Sequence, residues 1–233
     1  MRRSLEAAAV LTAAILLGWL GWHSTAVAQA QSPCSDMNGS LDKNVCHVHA
    51  TTDTYTFDAT FPVDYANMAP MIDYLTQTRD GFINVSQMPG SRNLPYELDA
   101  HAVEYHSGTP PHGTQSVVFK IFQDVGGAHP VTWYKAFNYN LDSGQPITLD
   151  TLFKPGSNPL TVIFPIVQRE LARQTGQPVS ISQGDGMDPS HYQNFAITDD
   201  EVIFFFSQGE LLPSVAGTNE VHVPRSAIGP LLA

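Results

Sequence analysis

The spacing of apolar residues along the chain predicts strands and helices in an irregular order. Alternating apolar and polar positions predict strands at 45–50, 55–61, 96–106, 114–125, 131–141, 195–198, 201–206 and 220–223. Apolar residues three and four positions apart predict helices at about 67–86 and 159–175, and a short helix follows Pro224. Because strands and helices do not alternate regularly, the pattern favours an α+β fold over a doubly wound parallel sheet.

Two local patterns refine this prediction. Residues 202–206 are apolar at every position, so we expect a central strand that is covered on both faces. Gly126 and Gly127 lie between the strands at 114–125 and 131–141, which indicates an antiparallel hairpin with a glycine-rich tip. We therefore expect a mixed, mainly antiparallel sheet that packs against the two main helices.

The N-terminus has the pattern of a secretory signal peptide. Two arginines precede an apolar stretch at 7–20, and alanines with A-x-A spacing follow it. The apolar stretch is shorter than the roughly 20 residues that a membrane-spanning helix needs. We predict that residues 1–30 are a signal peptide, that no stable transmembrane anchor remains after processing, and that residues 31–233 fold as a single secreted domain.

The two cysteines, Cys34 and Cys46, are predicted to form a disulfide, because an exported chain meets an oxidising environment. A bridge that closes a loop of about 13 residues contributes about 3 kcal/mol on the chain-entropy model. It would tie the N-terminal segment to the predicted strand at 45–50. We expect the protein to be secreted and extracellular, with association to the cell wall as a further option.

The charge of the chain limits the classes of partner. The chain has 11 Lys and Arg residues and 22 Asp and Glu residues, which gives a formal net charge of −11. Such a chain repels phosphate backbones and anionic membrane surfaces, so nucleic acid is excluded as a partner. We expect a monomer without a cofactor, whose partner is a host protein, a cell-envelope protein or a lipid.

The serine and histidine residues leave the question of catalysis open. The chain lacks the G-x-S-x-G elbow of common ester hydrolases, and Ser91 and Ser157 follow Pro-Gly in loops, where serine is typical of turns. A serine nucleophile also needs a histidine base and a carboxylate that orients it. His129, beside two glycines at the hairpin tip, is the first candidate base. A triad assembled in space stays an alternative, and any enzyme activity would be that of a carboxylic ester hydrolase.

Paired histidines suggest a metal site only weakly. His47 and His49 point to the same face of a strand, where zinc could use them with a third ligand. The chain has no HExxH or CxxC partner motif, so we interpret both as surface histidines and predict no metal site.

One strand is rich in aromatic residues, which are Trp133, Tyr134, Phe137 and Tyr139. Alternation along a strand favours a core on one face and a solvated tyrosine on the other. An aromatic ligand-binding surface is the alternative.

Segments spread over nearly the whole mature chain carry a family resemblance. They are Pro95–Leu98, Asp124–Pro130, Tyr134–Phe137, Phe164–Gln168, Arg173–Gly176, Tyr192–Ala196, Val202–Phe206, Gly209–Pro213 and Val223–Ile228. Together they resemble the mycobacterial secreted immunogenic protein family. The Gly-Gly-Ala-His-Pro turn, the Phe-rich strand and the Gly-Glu-Leu-Leu-Pro loop also resemble, more distantly, the extracellular domain of RsiV-type anti-sigma factors.

The resemblance implies an α+β fold with an N-terminal portion at about 31–110 and an RsiV-like portion at 111–233, together with export and antigenicity. The RsiV branch binds lysozyme through its outer domain, but this chain has no cytoplasmic sigma-binding segment. Esterase activity on short acyl chains is attributed within the mycobacterial branch. The resemblance places no nucleophile in this sequence.

The leading hypothesis is a secreted immunogenic protein that binds a partner without catalysing a reaction. The predicted binding residues are Gly126, Gly127, His129, Tyr134 and Glu210, all of which lie in the segments that carry the resemblance. In the alternative interpretation the two glycines serve only the geometry of the hairpin, because glycine adopts positive φ without strain. A short-chain carboxylesterase and a lysozyme- or glycan-binding module are the alternative functions.

Overall fold

The computed structural model describes residues 32–88 and 95–233. The predicted signal peptide and the predicted loop that contains Ser91 lie outside these residues. The described part of the chain belongs to one compact unit, Gln31–Ala233. No helix within it is long and apolar enough to cross a membrane.

Six α-helices and two sheets make up the described residues. The helices are α1 (Pro33–Asp36), α2 (Met68–Ser86), α3 (Leu149–Leu152), α4 (Leu160–Thr175), α5 (Gln183–Gly186) and α6 (Arg225–Ile228). The long helices α2 and α4 are the two predicted from apolar spacing, and α6 is the predicted short helix after Pro224. Gly176, with a φ of 66°, adopts the left-handed conformation that ends α4.

Seven strands form the first sheet in chain order. They are β1 (Ser40–Asp42), β2 (Val45–Thr51), β3 (Tyr55–Pro62), β4 (Tyr96–Ser107), β5 (Thr114–Asp124), β6 (Val131–Asn140) and β7 (Gln145–Pro146). All neighbouring strands are antiparallel except β3 and β4, which run parallel. Parallel strands need a crossover connection, and α2 lies in it. The predicted hairpin between β5 and β6 is confirmed.

Helix α2 covers one face of the seven-stranded sheet. The core between them includes Met71, Leu75 and Phe82 from the helix and Phe57, Leu98 and Phe119 from the strands. These side chains are at most 2% exposed, so this layer supplies much of the hydrophobic stabilisation of the first half of the chain.

Three strands form the second sheet, in the order β10–β9–β8: β8 (Phe195–Ile197), β9 (Glu201–Phe206) and β10 (Asn219–Pro224). Helix α4 covers one face, where Val167 and Leu171 pack in one core with Phe204 and Phe206. The strand predicted at 201–206 is therefore the central strand of its sheet, as expected. The prediction of an α+β fold with mainly antiparallel pairing and two main helices is confirmed, although the strands divide into two sheets.

The second face of β9 packs against the first sheet. Ile203 and Phe205 form a small core with Val118 and Tyr134, and the rings of Tyr134 and Phe205 lie 5.1 Å apart. Tyr134 is only 5% exposed. The expectation of a solvated tyrosine on this strand is therefore wrong, because the second sheet covers the face on which the tyrosine lies.

The predicted disulfide between Cys34 and Cys46 is present, and it joins α1 to β2 with a Cα–Cα distance of 5.5 Å. Gly39 lies against it. A Cβ atom at Gly39 would lie 2.5 Å from Sγ of Cys46 and 2.9 Å from Sγ of Cys34. A side chain at this position would therefore displace the bridge, a requirement that the sequence did not reveal.

Candidate functional site

The hairpin tip between β5 and β6 is held by its own side chains. Gly126 has a φ of 78°, and its N–H donates a hydrogen bond of 2.9 Å to Oδ1 of Asp124. The positive φ explains a glycine at this position by turn geometry. Gly127 and His129 are exposed.

Tyr134 and Glu210 belong to a different arrangement, which joins β6 to the end of β9. The Tyr134 N–H donates to Oγ of Ser207 at 3.2 Å, and the Ser207 N–H donates to Oε2 of Glu210 at 2.6 Å. Burial raises the pKa of the Glu210 carboxyl, while the hydrogen bonds from Ser207 and the nearby His191 act in the opposite direction. Glu210 thus closes the turn after β9.

Within the described residues, no hydrogen bond or ring contact joins the hairpin tip to Tyr134 or Glu210. Gly126, Gly127 and His129 form one turn, in which Gly127 and His129 are exposed, whereas Tyr134 lies between the two sheets. The binding role assigned to these residues stays a prediction, and its exposed portion is the turn that carries His129.

One group of side chains has the connectivity of a catalytic triad. Oγ1 of Thr51 lies 3.1 Å from Nε2 of His49, and Nδ1 of His49 lies 2.7 Å from Oδ1 of Asp58. The side chain of His49 is 68% exposed, and that of Asp58 is 41% exposed. A triad depends on preorganised donors in a site that excludes water. This open face of β2 and β3 instead suits a surface hydrogen-bond network.

Three further histidines pair with carboxylates: His106 with Glu104, His112 with Asp142 and His222 with Glu201. In the described part of the chain none of these three imidazoles contacts a hydroxyl group. No group of three or more His, Cys, Asp and Glu residues there has an arrangement that could hold a metal ion. His47 and His49 are both exposed.

The candidate with the form of a ligand site is a cavity of about 510 Å³, here called the apolar cavity. Its apolar lining comes from Leu149, Phe153, Pro155, Pro159, Leu160, Met187 and Pro189. Four polar residues also line it: Asp150, Lys154, Ser157 and Asn158. Cavities of about 300–1,000 Å³ with mainly apolar walls and a few polar groups are typical of small-molecule sites.

The loop that forms the apolar cavity is fixed at several points. Thr148 caps α3, and the N–H and Nζ of Lys154 donate hydrogen bonds of 2.8 Å to the carbonyls of Leu231 and Pro230. Oγ of Ser157 donates to the carbonyl of Lys154 at 2.7 Å, which is the turn role expected for this serine. The Pro-Gly-Ser-Asn-Pro sequence predicted the turn but gave no sign of the cavity behind it.

Known proteins similar to this chain fall into one group with high identity and one with low identity. The chain is 56% identical to Esterase Rv3036c of Mycobacterium tuberculosis over 98% of its own length and 99% of that protein. It is 44% identical to Immunogenic protein MPT64 of the same species and to Immunogenic protein MPB64 of Mycobacterium bovis, over 96% of its own length and 97% of theirs.

More distant matches concern the fold. Residues 150–226 match the family described as "Protein of unknown function (DUF3298)". A crystal structure of a DUF3298 family protein from Pseudomonas aeruginosa has a TM-score of 0.57 at 13% identity, covering 84% of this chain and 96% of the other. One from Bacteroides fragilis has a TM-score of 0.52 at 11% identity, covering 84% and 94%.

The α+β architecture is thus shared with DUF3298 proteins of very different sequence. The high-identity relatives cover nearly the whole chain, including the N-terminal portion that precedes the DUF3298 segment. On this basis the chain belongs to the mycobacterial immunogenic protein family of MPT64 and MPB64, the family in which Esterase Rv3036c also lies.

Proposed function

We propose that this protein is a secreted immunogenic protein that acts by binding, and that its ligand is an acyl chain with a polar head group held in the apolar cavity. The cavity is the observation that carries this proposal. Its volume of about 510 Å³ fits a small molecule, and it lies in the segment that matches the DUF3298 family.

The lining of the apolar cavity fits such a ligand in two respects. Phe153 and Leu160 present apolar surface, and burial of each CH₂ group of an acyl chain contributes about 0.8 kcal/mol. Lys154 and Asp150 both line the cavity, and Nζ of Lys154 donates a hydrogen bond to the carbonyl of Pro230. A carboxylate or phosphate head group would complement that ammonium group.

Secretion is part of the proposal. The signal-peptide pattern at 1–30 supports it. The disulfide between Cys34 and Cys46 fits a compartment that oxidises thiols.

Binding of cis-parinaric acid, a fluorescent fatty acid, to the purified mature protein tests the proposal. We expect saturable fluorescence enhancement that unlabelled laurate displaces. In the variant Asn158→Trp, an indole at the cavity rim should weaken binding by about tenfold. Asn84→Trp is the matched control, because Asn84 is an exposed residue of α2 far along the chain from the cavity.

The results divide clearly. Loss of binding in Asn158→Trp but not in Asn84→Trp supports the site. No saturable binding by the folded wild-type protein, or equal binding by both variants, removes it.

A second candidate function is a short-chain carboxylesterase. The 56% identity to a relative named Esterase favours it, and Ser157 lies in the lining of the apolar cavity. Against it, the hydroxyl of Ser157 donates to a backbone carbonyl and contacts no imidazole in the described residues.

Hydrolysis of p-nitrophenyl butyrate separates the two functions. Turnover that is lost in Ser157→Ala and kept in Ser190→Ala, an exposed serine near the same cavity, would establish the esterase and the nucleophile. Turnover no greater than that of a heat-inactivated control would leave binding as the function.

A further inference from the structure

A second cavity is formed by residues that precede the DUF3298 segment in the sequence. It measures about 560 Å³ and is here called the acidic cavity. Six side chains with planar polar or aromatic groups line it: Asn44, Asp64, Glu104, His106, Gln115 and Tyr139. They come from the β1–β2 turn, the segment after β3, and the strands β4, β5 and β6.

The register of the sheet brings three of these residues side by side. His106 is opposite Gln115, and Gln115 is opposite Tyr139. Glu104 lies two residues before His106 and therefore shares its face of the sheet. Helix α2 packs on the same face of the sheet. The cavity residues Asp64 and Ala66 directly precede the start of that helix.

Hydrogen bonds fix the polar groups before any ligand binds. Nδ2 of Asn44 donates to Oδ2 of Asp64 at 3.0 Å. Gln115, which is only 6% exposed, donates from Nε2 to Oε1 of Glu104 and accepts the Ala66 N–H at 2.9 Å. Each carboxylate uses one oxygen in these contacts, which leaves the other oxygen for donors on a ligand.

A buried tyrosine lies next to two of the cavity residues along the chain. Tyr65 lies between the cavity residues Asp64 and Ala66, is only 2% exposed, and its hydroxyl has no hydrogen-bond partner in the described part of the chain. Burial raises the pKa of Tyr65, and the charge of the Tyr139 phenol raises it further. Tyr65 is not one of the lining residues, so its side chain belongs to the core between α2 and the first sheet and not to the cavity wall.

We propose that the acidic cavity binds an uncharged oligosaccharide. Sugar hydroxyls donate to Asp64 and Glu104, and the amide of Asn44 adds a carbonyl acceptor. The apolar C–H face of the sugar ring lies on Tyr139, whose aromatic ring provides flat contact area. Pro110 and Pro111, which also line the cavity, extend that apolar contact.

Other ligand classes fit less well. Two carboxylates repel acidic sugars and phosphate groups. A metal ion would need a set of ligands that the described residues do not assemble. A cationic peptide would pair with the carboxylates but would leave the aromatic ring of Tyr139 without a partner. The test therefore includes a cationic peptide, oligolysine.

Saturation-transfer-difference NMR and calorimetry on the mature protein provide the test, with maltotriose, cellotriose and chitotriose as probes. We expect at least one of them to bind, and Glu104→Gln and Tyr139→Leu each to weaken that binding by about tenfold. Glu97→Gln makes the same change on the same strand away from the cavity and should leave binding unchanged. Circular dichroism establishes that every variant is folded. Asn44→Ala tests the contribution of a further cavity residue, at an exposed position.

Three results would overturn the proposal. The first is that none of the three sugars binds at about 10 mM, and the second is that both cavity variants bind a sugar as well as wild type does. The third is that oligolysine binds and no sugar displaces it. The acyl-binding function does not share this cavity, so the failure of either proposal leaves the other intact.

Discussion

The hydroxyl group of Tyr134 donates a hydrogen bond of 2.9 Å to Oε1 of Glu220. Tyr134 belongs to β6 of the first sheet, and Glu220 belongs to β10 at the edge of the second. The bond therefore joins the two sheets directly, beside the aromatic contact between Tyr134 and Phe205. Burial raises the pKa of Tyr134, so the phenol stays a donor throughout the physiological range.

Removing this hydroxyl should weaken the contact between the sheets without emptying the core. In Tyr134→Phe the ring remains and the hydrogen bond to Glu220 is lost, which costs about 1 kcal/mol. For a domain of this size that corresponds to a fall in Tm of about 2–4 °C. Thermal and urea unfolding of the mature protein measure both quantities.

Tyr105→Phe is the control for this substitution. Tyr105 packs on the same Phe205 ring at 5.9 Å, yet its hydroxyl makes no hydrogen bond in the described structure. Its removal should change the free energy of unfolding by less than about 0.5 kcal/mol. Equal losses in the two variants would show that the Glu220 bond contributes nothing specific.

Tyr134 also shows where sequence reasoning ended. Alternation along 131–141 correctly predicted a strand with two faces, because side chains alternate on every strand. Which face meets water depends on β9, some seventy residues later in the chain. The apolar run at 202–206 predicts a strand that is covered on both faces, but nothing in the run identifies β6 as the strand that covers one of them.

The disulfide offers a second test. Reduction of Cys34–Cys46 should lower the free energy of unfolding by about 3 kcal/mol, because the unfolded chain regains the entropy of a loop of about 13 residues. Urea unfolding with and without a reductant measures the difference, and Cys34→Ser/Cys46→Ser should reproduce it. A loss that occurs with the reductant but not in the double variant would point to an effect unrelated to the bridge.

Gly39 should tolerate no side chain, because a Cβ atom there would collide with both sulfur atoms of the bridge. We expect Gly39→Ala to cost about 1–3 kcal/mol, the usual range for overpacking a filled core. The same substitution at Gly81, in the middle of α2, where a Cβ atom would meet nothing within 4 Å beyond the chain neighbours and the backbone of its own helix, should instead stabilise the protein by about 0.5–1 kcal/mol. Urea unfolding of the two variants side by side checks the opposite signs, and a neutral Gly39→Ala would contradict the close packing.

Neither cavity can be predicted from the sequence, and the reason is the same for both. The apolar cavity combines the loop at 153–160 with Met187, and the acidic cavity combines Asp64 with Tyr139. Ser157 was correctly assigned to a turn, since Pro-Gly-Ser is local turn chemistry. Local patterns predict the elements, but the walls of a cavity come from elements that only the tertiary packing brings together.

Glu210 provides the last test, which distinguishes a structural carboxylate from a binding one. Glu210→Ala removes the acceptor of the Ser207 N–H and should cost about 1–2 kcal/mol. Glu210→Gln keeps an oxygen acceptor at the same place but cannot ionise. Because burial raises the pKa of Glu210, the folded state takes up its proton more readily than the unfolded state does.

The sign of the pH dependence follows from that raised pKa. The contribution of Glu210 to stability is fully present below the carboxyl pKa of the unfolded chain, about 4.3, and is lost as the pH rises through the higher pKa of the folded state. Glu210→Gln has no such loss, so its stability relative to wild type should increase between about pH 4 and pH 7. Urea unfolding at several pH values measures this difference. If the wild type instead gains on the glutamine variant as the pH rises, the hydrogen bonds from Ser207 outweigh burial, and the charged carboxylate is the form that the fold prefers.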